Sequence, residues 1–199
     1  MINQKKTNLL EFEIEKISNE TSDNKNSIFY KLLSENIIIS REIDTITLEK
    51  KIFFTYEAFF EYVISRYLLK SWKDLNKKQI LENTLKIIEE INTFRNYKGT
   101  IEYIILILES LGNEIYKDIL EQVTEYDSFL GVNIIGKLKN IMKVKNILFK
   151  LASFSNIELH RQILDILEKN EEKLEDSFIY SMRSNLIFSF SKPRKLLML

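Results

Sequence analysis

The stretch KKQILENTLKIIEEINTFR, residues Lys77–Arg95, shows the clearest folding pattern in this chain of 199 residues. Its apolar residues recur every three or four positions, at Leu81, Leu85, Ile88, Ile91 and Phe94. This spacing places them on one face of a helix, so the stretch predicts an amphipathic α-helix. The same pattern predicts further helices at Ile101–Leu111, Asn113–Tyr126, Leu130–Met142, Val144–Phe154, Ile157–Glu168 and Glu171–Phe188.

The composition also favours helices, because four glycines and one proline are few for this length and turn-rich folds need both residues. Helical segments separated by short breaks predict antiparallel helix pairs stacked as a HEAT- or TPR-like array. No strict sequence repeat is visible, so this prediction rests on the spacing of the segments. One break is expected at Asn96–Thr100 around Gly99, and Ser155 with Glu158 is expected to form a capping box.

The first third of the chain has a different pattern. A helix is predicted near Leu9–Ser18, then a polar loop at Asn19–Asn26 and a short helix capped by Ser27. Two short strands, at Ile37–Ile39 and Lys51–Phe54, are predicted to form a hairpin. Helix, helix and hairpin are the last elements of a winged helix, and the usual first helix has no room upstream. We therefore expect the chain to start inside a domain.

The predicted fold class is mainly α: a truncated winged helix with one β-hairpin, followed by an antiparallel helical-repeat array. We divide the chain into a winged-helix-like segment, residues 1–55, and a helical arm with α-solenoid repeats, residues 56–199. Thr55 is expected to cap a helix over Tyr56–Lys70. That helix is apolar nearly all round, which predicts that it is buried.

No sequence motif for catalysis or nucleotide binding is present. The four glycines stand apart, and Gly131 and Gly136 are followed by Lys137 and Leu138, so a phosphate-binding loop is excluded. The chain has no cysteine, and His160 is its one histidine. A catalytic relay or a metal site would need more partners than that, so we expect His160 to be a partly buried histidine bonded to a neighbouring residue. We predict that the protein is not an enzyme and binds no metal.

The charged residues suggest solvated surfaces. Glu89 and Glu90 are adjacent in one helix, as are Glu171 and Glu172, so the two carboxylates of each pair diverge. Lysines cluster along the predicted helices Leu130–Met142 and Val144–Phe154, at Lys137, Lys139, Lys143, Lys145 and Lys150. They could form a patch for phosphate or an acidic partner, but the lack of arginine there favours a solvated lysine face.

DNA binding is disfavoured by the charge of the winged-helix-like segment. Its candidate reading helix has one cation, Lys31, and its wing carries Glu42, Asp44 and Glu49. DNA recognition requires neutralisation of phosphates, and this segment is acidic where it should be basic. No apolar run is long enough for a membrane span, and the start of the chain lacks the apolar core of a signal peptide. We therefore expect a cytoplasmic protein without membrane contact.

The apolar end of the sequence, Leu196–Leu199, follows the basic stretch Lys192–Lys195. Four apolar residues there are expected to dock on a protein surface or to mark a chain cut before its domain ends.

The segment Lys51–Leu69 resembles a junction found in bacterial STAND NTPases, including NACHT-like and Avs-type antiphage proteins. In that family a strand ends in a Phe-[Ser/Thr]-[His/Tyr]-acidic turn and leads into a helix with an acidic–aromatic pair. The matching residues here are Phe54, Thr55, Tyr56 and Glu57 in the turn, then Glu61, Tyr62 and Arg66 in the helix. The likeness covers about Leu9–Ser110 and includes the helical arm that follows the junction.

The resemblance implies a regulatory or sensor part of such a protein, acting by protein recognition in bacterial defence or signalling. Many members of the family have a histidine at the position of Tyr56, and that histidine contacts the nucleotide phosphate. The resemblance therefore places Tyr56 at the nucleotide-sensing position, although tyrosine is not the residue most members have there. ATP or ADP is expected only if an upstream NTPase domain exists, and that domain or another protein would be the partner. A free-standing helical-repeat scaffold and a winged-helix DNA-binding regulator are the alternatives.

Overall fold

A computed structural model describes residues 8–10, 28–44, 49–91 and 97–191 of the chain, and within these ranges it is mainly helical, as predicted. The strands are β1 (Asn8–Leu10), β2 (Ile38–Asp44) and β3 (Glu49–Phe54). The helices are α1 (Ile28–Ser34), α2 (Glu57–Ser71), α3 (Lys77–Glu89), α4 (Tyr97–Ser110), α5 (Ile115–Tyr126), α6 (Ser128–Ile135), α7 (Lys145–Ala152), α8 (Ile157–Lys169) and α9 (Asp176–Ser191). Short 3-10 turns lie at Ile141–Val144 and Glu171–Lys173.

The chain divides into two compact units. The first comprises Met1–Lys73 with Ile91–Thr100, and the second comprises Asp74–Glu90 with Ile101–Leu199. Helix α4 contributes residues to both. The first unit thus extends past the predicted domain boundary at residue 55 and includes α2.

The first unit contains a three-stranded antiparallel sheet with β3 in the centre, in the order β1-β3-β2. Leu9 and Ser40 lie opposite Ile52 on its two sides, and the β2–β3 register shifts between Glu42 and Asp44. Helix α1 joins β2 through Asn36, whose positive φ of 53° is one that asparagine tolerates better than most residues. Whether this unit is a winged helix remains a prediction.

Two predictions about the residues that flank the sheet are wrong. Leu9 and Leu10 belong to β1, because pairing with β3 outweighs the helical spacing of their side chains. The rest of the helix predicted at Leu9–Ser18, the loop at Asn19–Asn26 and the cap Ser27 lie outside the described residues. Thr55 is not the N-cap of α2, which is Tyr56. The Thr55 hydroxyl instead donates to the Asn36 carbonyl, and its backbone N–H donates to the Ile37 carbonyl.

The second unit has helical-repeat-like packing. Helix α3 packs on α5, α5 on α6 and α7, α6 on α7 and α8, and α7 on α8 and α9. Each of α5, α6 and α7 therefore contacts the next helix and the one after it, as in stacked helical hairpins. The contacts bury a continuous apolar core, whose fully buried members include Ile119, Leu120, Ile134, Ile135, Leu148 and Leu151.

Several predicted helix limits in the second half of the chain are wrong. The predicted helix Leu130–Met142 ends at Ile135, and a carboxylate oxygen of Glu109 accepts the Asn140 backbone N–H at 3.1 Å in the following loop. Asn156, not Ser155, is the N-cap of α8, and its side chain accepts the Leu159 N–H at 3.0 Å. The final helix begins at Asp176, after the 3-10 turn at Glu171–Lys173.

The break predicted around Gly99 is also wrong, because α4 begins at Tyr97. A Cβ atom at Gly99 would overlap the carboxylate of Glu61, so this glycine permits a close approach within the first unit.

Candidate functional site

The motif that resembles the STAND junction lies where β3 leads into α2. Tyr56 has extended backbone dihedrals, and its carbonyl accepts the backbone N–H groups of Phe59 and Phe60. The Tyr56 ring is 68% exposed and makes no side-chain capping bond. Glu57 lies exposed in the first helical turn, where a carboxylate is favourable to the helix dipole. Phe54 is the last residue of β3.

The rest of the motif lies farther along α2. Glu61 is half-buried beside Gly99, whereas Tyr62 and Arg66 are exposed. Between them Ser65 is fully buried, and its hydroxyl lies 2.7 Å from the Glu61 carbonyl and 2.9 Å from the Thr100 carbonyl. Ser65 therefore fixes α2 against the first turn of α4, a role that the sequence pattern did not indicate.

Helix α2 is not buried all round, contrary to the prediction. Phe60 and Ile64 face the core of the first unit. The exposed residues on the adjacent side of the helix are separated by three, four and four positions: Tyr56, Phe59, Val63 and Tyr67. We call these four residues the α2 aromatic face.

The α2 aromatic face has the composition of a protein-recognition surface. Tyrosine, phenylalanine and arginine are enriched in interfaces, and tyrosine and arginine dominate binding hot spots. Tyr67 is 50% exposed, and Arg66 is exposed next to it. Covering an exposed apolar strip with a partner protein removes apolar surface from water, which lowers the free energy.

The lysines of the candidate phosphate patch are largely paired with carboxylates. Lys137 contacts Glu102 at 2.7 Å. Lys143 contacts Glu114 at 3.3 Å, and Lys150 contacts Glu125 at 2.8 Å. Hydrogen bonds that the Lys150 ammonium donates to Glu125 and then Glu121 raise the pKa of Lys150, so its positive charge is already paired. Three of the five lysines are thus paired with carboxylates, which weakens the phosphate-patch hypothesis.

These contacts belong to an acidic row along α5 that the sequence analysis missed. Its members recur at helical spacing: Glu114, Asp118, Glu121 and Glu125. Lys77 of α3 pairs with Asp118 at 2.9 Å, while Lys143 and Lys150 each lie 3.3 Å from a carboxylate of the row, Glu114 and Glu121 respectively. Hydrogen bonds from Lys117 and then Lys143 lower the pKa of Glu114. The row was visible in the spacing of its carboxylates, but its lysine partners are distant in sequence.

The remaining candidate residues are structural or solvated. His160 is buried in α8, as expected from its phase with neighbouring apolar residues, and its backbone N–H donates to the Asn156 carbonyl at 3.0 Å. Glu89 is exposed, as are Glu171 and Glu172, and Glu171 lies 3.5 Å from Arg183. Among the described residues, no three metal-ligating side chains come together.

Within those same ranges, no helix combines the length and the apolar character needed to cross a bilayer. Comparisons with protein-family models, with curated proteins and with solved structures found no match to this chain. The described residues present exposed aromatic and apolar surfaces in both units.

Proposed function

We propose that this protein is a non-catalytic regulatory or sensor component of a STAND-type NTPase system and acts by recognising another protein. The observation that carries the proposal is the α2 aromatic face, which displays three aromatic rings on a helix anchored by the buried residues Phe60 and Ile64. A rigid helix presenting aromatic side chains loses little entropy when it binds.

Two further observations support a STAND-type origin. The residues from Phe54 to Arg66 resemble the family junction and lie at a strand-to-helix transition. In addition, α1 precedes the antiparallel pair of β2 and β3, which is the helix-then-hairpin order that the sequence predicts before the helical arm. The nucleotide-sensing role implied for Tyr56 would require an ATP-binding domain supplied by another chain or segment.

The second candidate function is a free-standing helical scaffold or adaptor. The specific observation in its favour is the repeat-like packing of the second unit, an architecture that commonly serves protein recognition without catalysis. The reading frame upstream of the gene distinguishes the two proposals. A P-loop ATPase frame ending just before Met1 supports the STAND origin, whereas an intact, unrelated neighbour with its own promoter contradicts it.

Protein recognition by α2 is tested by co-purification and by titration of the full chain with the upstream ATPase. We expect the double variant Tyr56→Ser/Tyr67→Ser to weaken binding about thirtyfold, which corresponds to the loss of about 2 kcal/mol expected for interface hot spots. The matched control is Leu111→Ser, because Leu111 is 71% exposed and lies outside the motif. Unchanged affinity of the double variant would exclude the α2 aromatic face as the contact.

A further inference from the structure

Helices α8 and α9, both in the second unit, border an apolar groove of about 490 Å³. Ile157 and Leu164 of α8 line one side, and Leu186 and Ile187 of α9 line the other. Buried His160 contributes to the α8 wall. The lining residues lie between Ile157 and Leu164 on α8 and between Arg183 and Ile187 on α9.

The groove is open and its rims are apolar. Ile157 is 71% exposed and Ile187 is 69% exposed. Small-molecule sites usually enclose most of the ligand surface, which an open groove with projecting isoleucines does not do. A partner broad enough to cover both rims would remove these two side chains from water, and that burial favours association.

Each helix presents an arginine between two apolar residues. On α8 the order is Ile157, Arg161, Leu164, with spacings of four and three. On α9 the order is Tyr180, Arg183, Ile187, with spacings of three and four. Both sets therefore lie along one helix face. Tyr180 is not part of the groove lining, but it is 77% exposed on the same face as Ile187.

The charged side chains that line the groove are both cationic, Arg161 and Arg183. Arg161 contacts Glu158 at 2.9 Å, and Arg183 contacts Glu171 at 3.5 Å. Both glutamates are exposed and belong to solvent-facing pairs, which are weak and exchange readily with competing carboxylates. An arginine fork can bind an incoming carboxylate in a bidentate manner.

We propose that this groove binds an amphipathic helix of a partner protein, whose apolar stripe enters the groove and whose flanking Asp or Glu residues pair with Arg161 and Arg183. The stripe has residues at i, i+3 or i+4, and i+7, which matches a groove lined over two turns of α8. The segment that follows α9 in the sequence is a poor occupant, since Lys192, Arg194 and Lys195 repeat the charge of the groove arginines.

This inference concerns the second unit and does not rest on the STAND origin or on the α2 aromatic face. The groove and the α2 aromatic face are different surfaces, and only the groove is expected to prefer an acidic partner. If binding through one of these surfaces were disproved, the prediction for the other surface would be unaffected.

The test is a selection from a displayed library of helical peptides against the full-length chain. Every peptide carries the same apolar stripe, and the flanking positions vary among Glu, Lys and Gln. The selected peptides are synthesised, and their affinities are measured by fluorescence anisotropy for the wild-type chain, Ile187→Asp and Arg161→Glu/Arg183→Glu. Leu111→Asp is the control for a negative charge at an equally exposed apolar site, and circular dichroism confirms that each variant is folded.

We expect glutamate to be enriched at the flanking positions. Ile187→Asp should weaken binding at least about tenfold through loss of apolar burial, whereas Leu111→Asp should leave it unchanged. The double arginine variant should reverse the preference from Glu to Lys flanks. The proposal is overturned by the absence of any enriched peptide, by flanks without a charge preference, or by a concentration-dependent dimer that Ile187→Asp abolishes, since a second copy would then occupy the groove.

Discussion

Replacing Gly131 with alanine tests how closely α5 and α6 pack. Gly131 lies inside α6, where alanine improves intrinsic helix stability by about 1 kcal/mol. The added methyl group, however, would overlap the side chain of Thr124 and lie 3.1 Å from the Thr124 Cα atom. A backbone atom cannot rotate away, so the two helices must separate, and such overpacking typically costs about 1–3 kcal/mol.

The cost of separation exceeds the gain in helix propensity, because Thr124 and Gly131 are both buried at the contact. After the gain of about 1 kcal/mol is subtracted, we expect Gly131→Ala to lower the free energy of unfolding by up to about 2 kcal/mol, which corresponds to a fall in Tm of up to about 8 °C for a chain of this size. Urea and thermal unfolding followed by far-UV circular dichroism measure both quantities.

Two further variants separate overpacking from other effects. Thr124→Ser removes the nearest methyl group, so Gly131→Ala should cost less in that background, and a double-mutant cycle measures the coupling. At Gly136 the added methyl would lie 3.2 Å from the flexible side chain of Ile166, so Gly136→Ala should cost less than Gly131→Ala. A Gly131→Ala variant that is more stable than the wild type, or a coupling of zero with Thr124→Ser, would refute this account.

Three other predictions concern single positions. Burial, reinforced by two nearby glutamates, raises the pKa of Tyr116 to about 12. The neutral phenol is therefore favoured in the folded state, and stability should fall as pH rises from about 10 to 12, by up to about 3 kcal/mol. Tyr116→Phe should remove that fall in alkaline urea titrations, while Tyr180→Phe, at an exposed site, should not. Gly112→Ala should lower the stability of the protein by about 1 kcal/mol in thermal unfolding, because the φ of Gly112 is +70°, although the space around the residue is open. An unchanged Tm would contradict this. Lys150→Gln should lower stability in low-salt urea titrations only, because salt screens its exposed pairs; a loss that persists in high salt would indicate packing instead.

Some parts of the fold could be predicted from local sequence. Helices α3 and α8 begin where predicted, at Lys77 and Ile157, because each combines a regular apolar stripe with a capping residue, Asn76 or Asn156, directly before it. The buried position of His160 also followed from its phase in α8. In these cases the local pattern and the tertiary contacts favour the same structure.

Other parts depended on residues far away in the chain. Helix α6 ends at Ile135 although the apolar pattern continues, and the loop after it is held by Glu109. Leu9 lies in a strand because it pairs with Ile52, more than forty positions along the sequence. The lysines at Lys137 and Lys150 form ion pairs with carboxylates on other helices. Neither a strand partner nor an ion-pair partner can be read from a window of neighbouring residues.

The sequence by itself determined that this protein is mainly helical and carries no phosphate-binding loop, because helix propensity and glycine motifs are properties of short segments. Only the tertiary structure decided which side of α2 is exposed and where the apolar groove lies. Tyr67 and Ile64 look alike in an all-round apolar helix, yet one is half-exposed and the other is buried. Burial depends on which elements pack against a side chain, and that is a property of the whole fold.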